Sequence, residues 1–177
     1  NDLLVAHAQA GRTVVRLKGG DPFVLGRGGE EALHCLAHAV PVEVVPGVTS
    51  AVSVPAAAGI PVTHRGITTS VVVASAHTGA GNALEAATAA PPEATLVLLM
   101  GLSGLAGTAE ELISSGRSPD TLVAVISEGW TPRQRTVTGT LATIAADVSG
   151  ADLPGPVVIV VGEVVGLRTQ LGDLTGA

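Results

Sequence analysis

The chain is poor in aromatic residues and in cysteine. Its 177 residues include one Phe, one Trp, no Tyr and one Cys. A protein with so few aromatic side chains lacks the stacking surfaces on which single-stranded nucleic acid is bound, and a single cysteine excludes an internal disulfide framework. The formal net charge of -6 also argues against a general nucleic-acid binder. We therefore expect no nucleic-acid partner.

Long apolar runs are absent, although 46% of the residues are hydrophobic. Glycine, proline or a charged residue interrupts each apolar stretch before it reaches the roughly 20 residues that a membrane-spanning helix needs. The first residues also lack the basic segment of a signal peptide. These patterns predict a soluble, cytoplasmic protein without a membrane partner.

The most informative segment present is VVRLKGGDPFVLGRGGEE, residues 14–31. A Val-rich run ends in Gly19-Gly20, where glycine permits backbone angles that a Cβ forbids and lets a ligand approach the main chain. Open α/β sheets bind ligands in such loops at the carboxyl ends of strands. The segment is not a dinucleotide G-x-G-x-x-G fingerprint, since Glu31 occupies the third glycine position, and Lys18 precedes the glycines rather than following them as in a P-loop. The alternative for Gly-Gly alone is a plain tight turn.

Positive charge is concentrated around this segment. Arg12, Arg16, Lys18 and Arg27 lie close together in sequence, and Asp21 is the only acid among them. A basic cluster on an acidic protein suits an anionic small molecule. The alternative is that these side chains are solvated strand and loop ends.

Alternating apolar patterns predict the secondary structure. Segments of period two or continuous apolar character predict strands, and Leu33, Leu36 and Ala37 share one face of a helix. The predicted strands are 13–17, 42–45, 69–75, 95–100, 121–127, 134–141 and 156–161, and the predicted helices include 30–39, 108–115 and 142–147. A further helix begins near Thr49 and Ser50 and stops at Gly59. This alternation predicts an α/β fold with mostly parallel sheets, in which 134–141 is the antiparallel candidate.

Several longer motifs resemble one family. RLKGGDPFVLGRGGEE, VPGVTSA and GIPVTHRG stand at 16–31, 45–51 and 59–66, followed by VLLMG, SEGWTPRQRTVTGTL and PVVIVVGEVV at 97–101, 127–141 and 156–165. Together they resemble the tetrapyrrole methylases over nearly the whole chain. The resemblance implies two α/β domains, with 1–63 the remainder of an incomplete amino-terminal domain and 64–177 the carboxy-terminal domain.

The resemblance also implies an activity. Members of the family transfer methyl groups from S-adenosylmethionine, and the GRGGEE and THRG motifs favour C-methylation of uroporphyrinogen III to precorrin-2, on the route to sirohaem and cobalamin. A homodimer is implied as well. Two alternatives stay open: another methylase of the corrin pathway, and a catalytically inactive fragment that binds ligand.

The matching positions carry the family's site residues. By resemblance, uroporphyrinogen III is contacted by Arg27, Glu30, Arg65 and His77, and Arg27 assists catalysis at the macrocycle. The implied contacts to S-adenosylmethionine are Gly19, Gly20, Asp21, Val24, Thr49, Ser50, Met100 and Gly129. The alternatives are helix capping for Thr49 and Ser50, core filling for Met100 and an ordinary turn for Gly129.

The family's first strand and its acid–base aspartate and lysine have no counterpart in this sequence. From the resemblance we therefore expect the chain by itself to be catalytically inactive.

His34 and His38 have the four-residue spacing of metal ligands on a helix. Neither the H-E-x-x-H pattern nor a third ligand accompanies them. We predict no metal site, and we interpret Cys35 as a small buried hydrophobe.

Overall fold

The computed structural model describes residues 1–76 and 83–175. The chain forms two compact units, Asn1–Thr49 and Ser50–Ala177. The predicted domain boundary between residues 63 and 64 stays a prediction. Within the described residues, every helix is too short or too polar to cross a membrane.

The first unit contains two helices, α1 (Asp2–Gln9) and α2 (Gly28–Ala37). Helix α2 confirms the helix predicted over 30–39. Glu30 and Glu31 lie in its first turn, where carboxylates interact favourably with the helix dipole. The segments before and after α2 belong to neither helix nor strand.

The strands predicted at 13–17 and 42–45 were wrong. Neither segment is assigned to a strand, and Val15, Leu17 and Val45 are 81%, 84% and 75% exposed. An apolar run becomes a strand only where a neighbour completes its hydrogen-bond ladder. No such ladder is assigned to these two segments in the part of the chain that the structure describes.

The second unit alternates strands and helices. In chain order its elements are α3 (Ser50–Ala57), β1 (Val71–Ser75), α4 (Ala83–Thr88), β2 (Thr95–Leu99), α5 (Leu105–Ser114), β3 (Leu122–Ser127), β4 (Arg135–Thr140), α6 (Ile144–Ser149), β5 (Val157–Val161) and α7 (Arg168–Leu171). Short 3-10 helices cover Leu102–Gly104 and Glu163–Leu167. The strands predicted from residue 69 onward and the helices predicted at 108–115 and 142–147 are thus confirmed, with shifted ends.

The five strands form one sheet in the order β1-β2-β5-β3-β4. Only the β1–β2 pairing is parallel; β5 pairs antiparallel with both β2 and β3, and β4 pairs antiparallel with β3. The sheet is therefore mixed, and the prediction of mostly parallel sheets was wrong for this unit. The prediction of an antiparallel strand at 134–141 was right. Since β2 and β3 each run opposite to β5, they run parallel to each other.

Helices cover both faces of this sheet. Every residue of β2 and β5 is buried, which is typical of strands covered on both sides. On one face Leu96, Leu98 and Ile159 pack in the same cluster as Leu105 and Leu112 of α5. A second cluster contains residues of the opposite face together with two residues of α3; these are Val97, Val160, Ala124, Ala51 and Val54.

A buried arginine stabilises the loop that enters β2. Arg117 is only 4% exposed, and its guanidinium donates to the carbonyls of Pro92, Pro91 and Ala94 at 2.9, 3.0 and 3.2 Å. Burial lowers the pKa of Arg117, which nearby Glu93 partly offsets. The side chain thus satisfies three carbonyls of a proline-rich loop.

Candidate functional site

The Gly-Gly-Asp-Pro turn of the first unit is tied to the Pro46-Gly47 loop by one carboxylate. Asp21 accepts the Phe23 N–H through Oδ1 at 2.8 Å and the Gly47 N–H through Oδ2 at 3.2 Å. The first bond closes an Asx-type turn, and the second spans 26 residues. Asp21 therefore connects two of the sequence motifs that carry the family resemblance.

The two loops approach each other backbone to backbone. A Cβ on Gly47 would collide with the carbonyl oxygen of Gly20. Gly20 itself has a φ of +69°, in the left-handed region that glycine adopts without strain. At Gly19, by contrast, a Cβ would meet no heavy atom within 4 Å. The turn is thus packed on one side and open at Gly19.

The second glycine cluster folds onto the same turn. A Cβ on Gly26 or Gly28 would lie 2.8 or 2.5 Å from the carbonyl oxygen of Pro22, and the Gly28 N–H donates to that oxygen at 2.9 Å. Val24, another predicted contact of the donor, donates its N–H to the Asp21 carbonyl at 3.3 Å. Both glycine clusters therefore belong to one compact loop.

Arg27 and Glu30, the predicted substrate residues, form an ion pair. Arg27 Nη2 and Nε lie 2.7 and 3.1 Å from Glu30 Oε2. Hydrogen bonding to its partner raises the pKa of Arg27 and lowers that of Glu30. Both side chains are exposed, and Arg27 precedes α2 with a φ of +60°. Non-glycine residues in this conformation concentrate at functional sites.

An acidic residue of helix α2 pairs with two members of the basic cluster predicted from the sequence. Glu31 accepts Lys18 Nζ at 2.9 Å and Arg16 Nε at 3.1 Å. Hydrogen bonds from Lys18 and then Arg16 lower the pKa of Glu31. Asp21 is the only acid between these cations in sequence, but folding also brings Glu31, which is 13 residues from Lys18, onto Lys18 and Arg16.

The predicted donor residues of the second unit lie at one edge of its sheet. Met100 and Gly129 follow the carboxyl ends of β2 and β3, which run in the same direction with β5 between them. Met100 is 55% exposed and has a φ of +60°. The alternative that Met100 fills the core is therefore wrong. Ser50 is the first residue of α3 in the same unit.

The turn that contains Gly129 lies against α3. A Cβ on Gly129 would lie 2.6 Å from a methyl group of Val54, so only glycine permits this approach. The residues on either side, Glu128 and Trp130, have φ values of +48° and +66°. Three successive residues of this turn are thus held tightly, two of them in a conformation that costs of order 1–3 kcal/mol each.

Trp130 follows Gly129 in this turn and was not assigned to the site from the sequence. Its indole Nε1 donates to the Ser53 carbonyl at 2.7 Å, and its main-chain N–H donates to Gln134 Oε1 at 3.0 Å. The side chain is nevertheless 54% exposed. The available signal was its position next to Gly129 as the only tryptophan of the chain.

A polar cavity of about 290 Å³ opens beside this turn. Glu128 pairs there with Arg133 Nε at 2.8 Å, and this hydrogen bond lowers the pKa of Glu128. The lining residues are Glu128, Pro132, Arg133, Gln134, Arg135, Asp152 and Pro154. Both charge signs are present, so the cavity has no net preference for an anion.

The remaining predicted residues are located as follows. Thr49 is partly buried. Arg65 is exposed in the turn closed by the His64–Thr68 bridge. His77 lies outside the described residues.

His34 of α2 and His38, which follows the helix, lie side by side. The rings of His34 and His38 lie with centroids 4.6 Å apart, and His38 Nδ1 lies 2.8 Å from the His34 carbonyl oxygen. Across residues 1–76 and 83–175, no group of three His, Cys, Asp or Glu side chains is placed to hold a metal ion. Cys35 is a buried free thiol, as predicted.

Comparison with known proteins agrees with these motifs. Residues 1–145 match the family described as tetrapyrrole (corrin/porphyrin) methylases. The chain is 48% identical, over 98% of its length and 69% of the relative's, to an S-adenosyl-L-methionine-dependent uroporphyrinogen III methyltransferase of Methanosarcina barkeri. It is 46% identical to a siroheme synthase of Acinetobacter baylyi, of which it spans 38%.

A solved structure shares the fold. Uroporphyrin-III C-methyl transferase from Thermus thermophilus, complexed with S-adenyl homocysteine, is 41% identical with a TM-score of 0.80 over 94% of this chain and 73% of its own. The sequence match covers most of the chain and the structural match covers nearly all of it. The chain therefore belongs to the tetrapyrrole methylase family.

Proposed function

We propose that this chain is the greater part of the methyltransferase domain of an S-adenosylmethionine-dependent enzyme that C-methylates uroporphyrinogen III to precorrin-2. The observation that carries the proposal is the 48% identity, over 98% of the chain, to a relative named as an S-adenosyl-L-methionine-dependent uroporphyrinogen III methyltransferase. The siroheme synthases that it also matches favour a role in sirohaem formation. A cytoplasmic location and a homodimer belong to the same proposal.

The loop geometry suits a donor held by backbone groups. S-adenosylmethionine, when bound, supplies an electrophilic methyl group on a sulfonium that is its own leaving group. The protein then has to align the reactants and exclude water rather than activate the sulfur. The backbone at Gly19 is open, since a Cβ there would meet no heavy atom within 4 Å. The Asp21–Gly47 hydrogen bond stabilises the same turn. A ligand can therefore approach the Gly19 main chain with no side chain in between.

The exposed Arg27–Glu30 pair suits an acceptor rich in carboxylates. Uroporphyrinogen III carries eight carboxylates, and a guanidinium binds a carboxylate through two parallel hydrogen bonds. An ion pair between two exposed side chains contributes little to stability, so a substrate carboxylate can replace Glu30 at Arg27 at little cost. Arg27 would then bind the acceptor, and Glu30 would hold the guanidinium in place beforehand.

The second candidate is a chain that binds ligand without turnover. The chain spans 69% of the uroporphyrinogen III methyltransferase of Methanosarcina barkeri and 38% of the siroheme synthase of Acinetobacter baylyi, so turnover by these residues alone is a separate question. Binding and turnover therefore need separate measurements.

The experiment uses the 177-residue chain in two steps. Calorimetric titration with S-adenosylhomocysteine tests donor binding, with Gly20→Val as the matched variant, since a branched side chain at a φ of +69° is strained. Transfer of labelled methyl from S-adenosylmethionine to uroporphyrinogen III then tests turnover. Binding that Gly20→Val abolishes supports the donor site. Equal binding by both proteins would contradict it, and binding without transfer would favour the second candidate.

A further inference from the structure

We propose that Asp173 is a positioning residue of the methyl-donor site, where it fixes the turn 128–134 through the side chain of Gln134. The inference rests on the proposed function, because it assumes that Gly129 in this turn contacts the methyl donor. Asp173 lies 39 residues from Gln134 in the chain, and neither the motifs nor the family resemblance assigned it a role.

The backbone of this turn has a conformation that needs support from its surroundings. Glu128 and Trp130 have φ values of +48° and +66°, and strain of this kind persists only when surrounding contacts impose it. One such contact is local, since the main-chain N–H of Trp130 donates to Gln134 Oε1 at 3.0 Å. The Gln134 side chain can fix the Trp130 backbone only if it is itself held in place.

Asp173 holds Gln134 from outside the turn. Its Oδ1 accepts Gln134 Nε2 at 2.9 Å, so the Gln134 amide is bonded through its oxygen to Trp130 and through its nitrogen to Asp173. A hydrogen bond to a carboxylate is stronger than one between neutral groups. Because a carboxylate only accepts, it also turns the amide oxygen towards the Trp130 N–H.

Asp173 is in turn anchored by Arg168. The guanidinium donates from Nη1 to Oδ1 at 2.8 Å and from Nη2 to Oδ2 at 3.1 Å, and Nη1 also donates to the Ala58 carbonyl just after α3. Hydrogen bonding from Arg168, and to a smaller extent from Gln134, lowers the pKa of Asp173. The carboxylate therefore stays charged at neutral pH and keeps both partners.

Helix α3 is the common support of Asp173 and the turn. The residue after Asp173, Leu174, donates its N–H to the carbonyl of Ala57, the last residue of α3, at 2.8 Å. The turn contacts the same helix through Trp130, whose Nε1 donates to the Ser53 carbonyl at 2.7 Å. Asp173 thus completes a closed set of hydrogen bonds that places the turn relative to α3.

The test exchanges the amide and the carboxylate of this contact in the 177-residue chain. Gln134→Glu keeps an oxygen for the Trp130 N–H but places a second carboxylate beside Asp173, and should raise the Kd for S-adenosylhomocysteine about ten-fold in calorimetry. Adding Asp173→Asn restores a donor between the two positions and should return the Kd to within about three-fold of the parent. If Asp173 served only as the ion-pair partner of Arg168, the double variant would bind no better than Gln134→Glu.

Trp130 emission gives a second readout without ligand, because Trp130 is the only tryptophan and there is no tyrosine. Gln134→Glu should shift the indole emission, and the double variant should restore it. Asp173→Ala should raise the Kd about five-fold, and it decides the matter if Gln134→Glu does not fold. Asp120→Ala, which removes another exposed aspartate of the second unit, is the matched control and should leave the Kd and the emission unchanged.

Thermal melting of each variant checks folding. If the parent binds S-adenosylhomocysteine but the double variant does not regain affinity, or Asp173→Ala binds like the parent, this inference is overturned while the proposed function stands. If the parent shows no calorimetric binding, both are overturned.

Discussion

Asp21 Oδ2 accepts a 3.2 Å hydrogen bond from the N–H of Gly47, which lies 26 residues further along the chain. The same carboxylate closes the turn at Phe23 through Oδ1. Both oxygens therefore have structural roles within the first unit. The proposed donor loop is thereby preorganised, and a ligand that binds it need not order it first.

Replacing Asp21 tests this preorganisation. Asn keeps one acceptor oxygen but presents an amide to the other N–H, so Asp21→Asn should cost about 0.5–1.5 kcal/mol of loop stability, the contribution of one hydrogen bond. Asp21→Ala should cost more. Hydrogen exchange at Phe23 and Gly47 would measure the effect. Glu43→Gln, which removes an exposed charge in the same unit, should leave the exchange rates of both amides unchanged. If the Asp21 variants exchange at the parental rates as well, Asp21 does not stabilise the loop.

Gly47→Ala should disrupt the packing of the two loops, because its Cβ would collide with the Gly20 carbonyl oxygen. The matched control is Gly29→Ala, where a Cβ meets nothing within 4 Å and alanine favours the helix. We expect loss of S-adenosylhomocysteine binding in the first variant and parental binding in the second. Parental affinity in Gly47→Ala would show that the loops separate at no cost.

Arg27→Lys should lose most methylation activity in a longer chain that is active, while the Kd of the donor stays unchanged. Lysine keeps the charge but not the planar fork that pairs with a carboxylate in two places. Steady-state kinetics with uroporphyrinogen III would measure the change, and calorimetry the donor affinity. Unchanged kcat and KM would argue against a bidentate role for Arg27.

Arg117→Met should destabilise the second unit by about 1–3 kcal/mol, because it takes the guanidinium donor from the buried Ala94 carbonyl and removes two further hydrogen bonds to Pro91 and Pro92. The comparison is Arg133→Met, which removes the ion pair of a 75% exposed arginine with Glu128 and for which we expect a smaller loss. Urea unfolding measures both free energies. A smaller loss for Arg117 than for Arg133 would contradict its structural role.

Glu31 should make the first unit less stable in acid. Its pKa is lowered in the folded state by Lys18 and Arg16, so its contribution is fully present above the ordinary value of 4.5 and disappears as the pH falls through the lower folded pKa. Glu31→Gln should remove this part of the pH dependence and leave the rest. An NMR titration of the Glu31 carboxyl gives its pKa directly, and an ordinary or raised value would rule the mechanism out.

The strands of the second unit were predictable because the local sequence pattern reflects their burial. Continuous apolar runs at β2 and β5, bounded by turn residues, indicate strands covered on both faces. The segment 13–17 has a similar composition and yet is not assigned to a strand. The difference is the pairing partner, which lies elsewhere in the chain and leaves no local signature.

The amino-acid sequence by itself determined the family, the order of most helices and strands, and the glycines of the Gly-Gly-Asp-Pro turn, because these depend on local backbone freedom and side-chain periodicity. Only the tertiary structure decided that β5 lies between β2 and β3, that Glu31 neutralises Lys18 and Arg16, and that Trp130 is anchored on Ser53. Each of these three arrangements brings together residues that are distant in the chain. Strand order, charge pairing and side-chain anchoring follow from which surfaces meet, and that is established only when the chain packs.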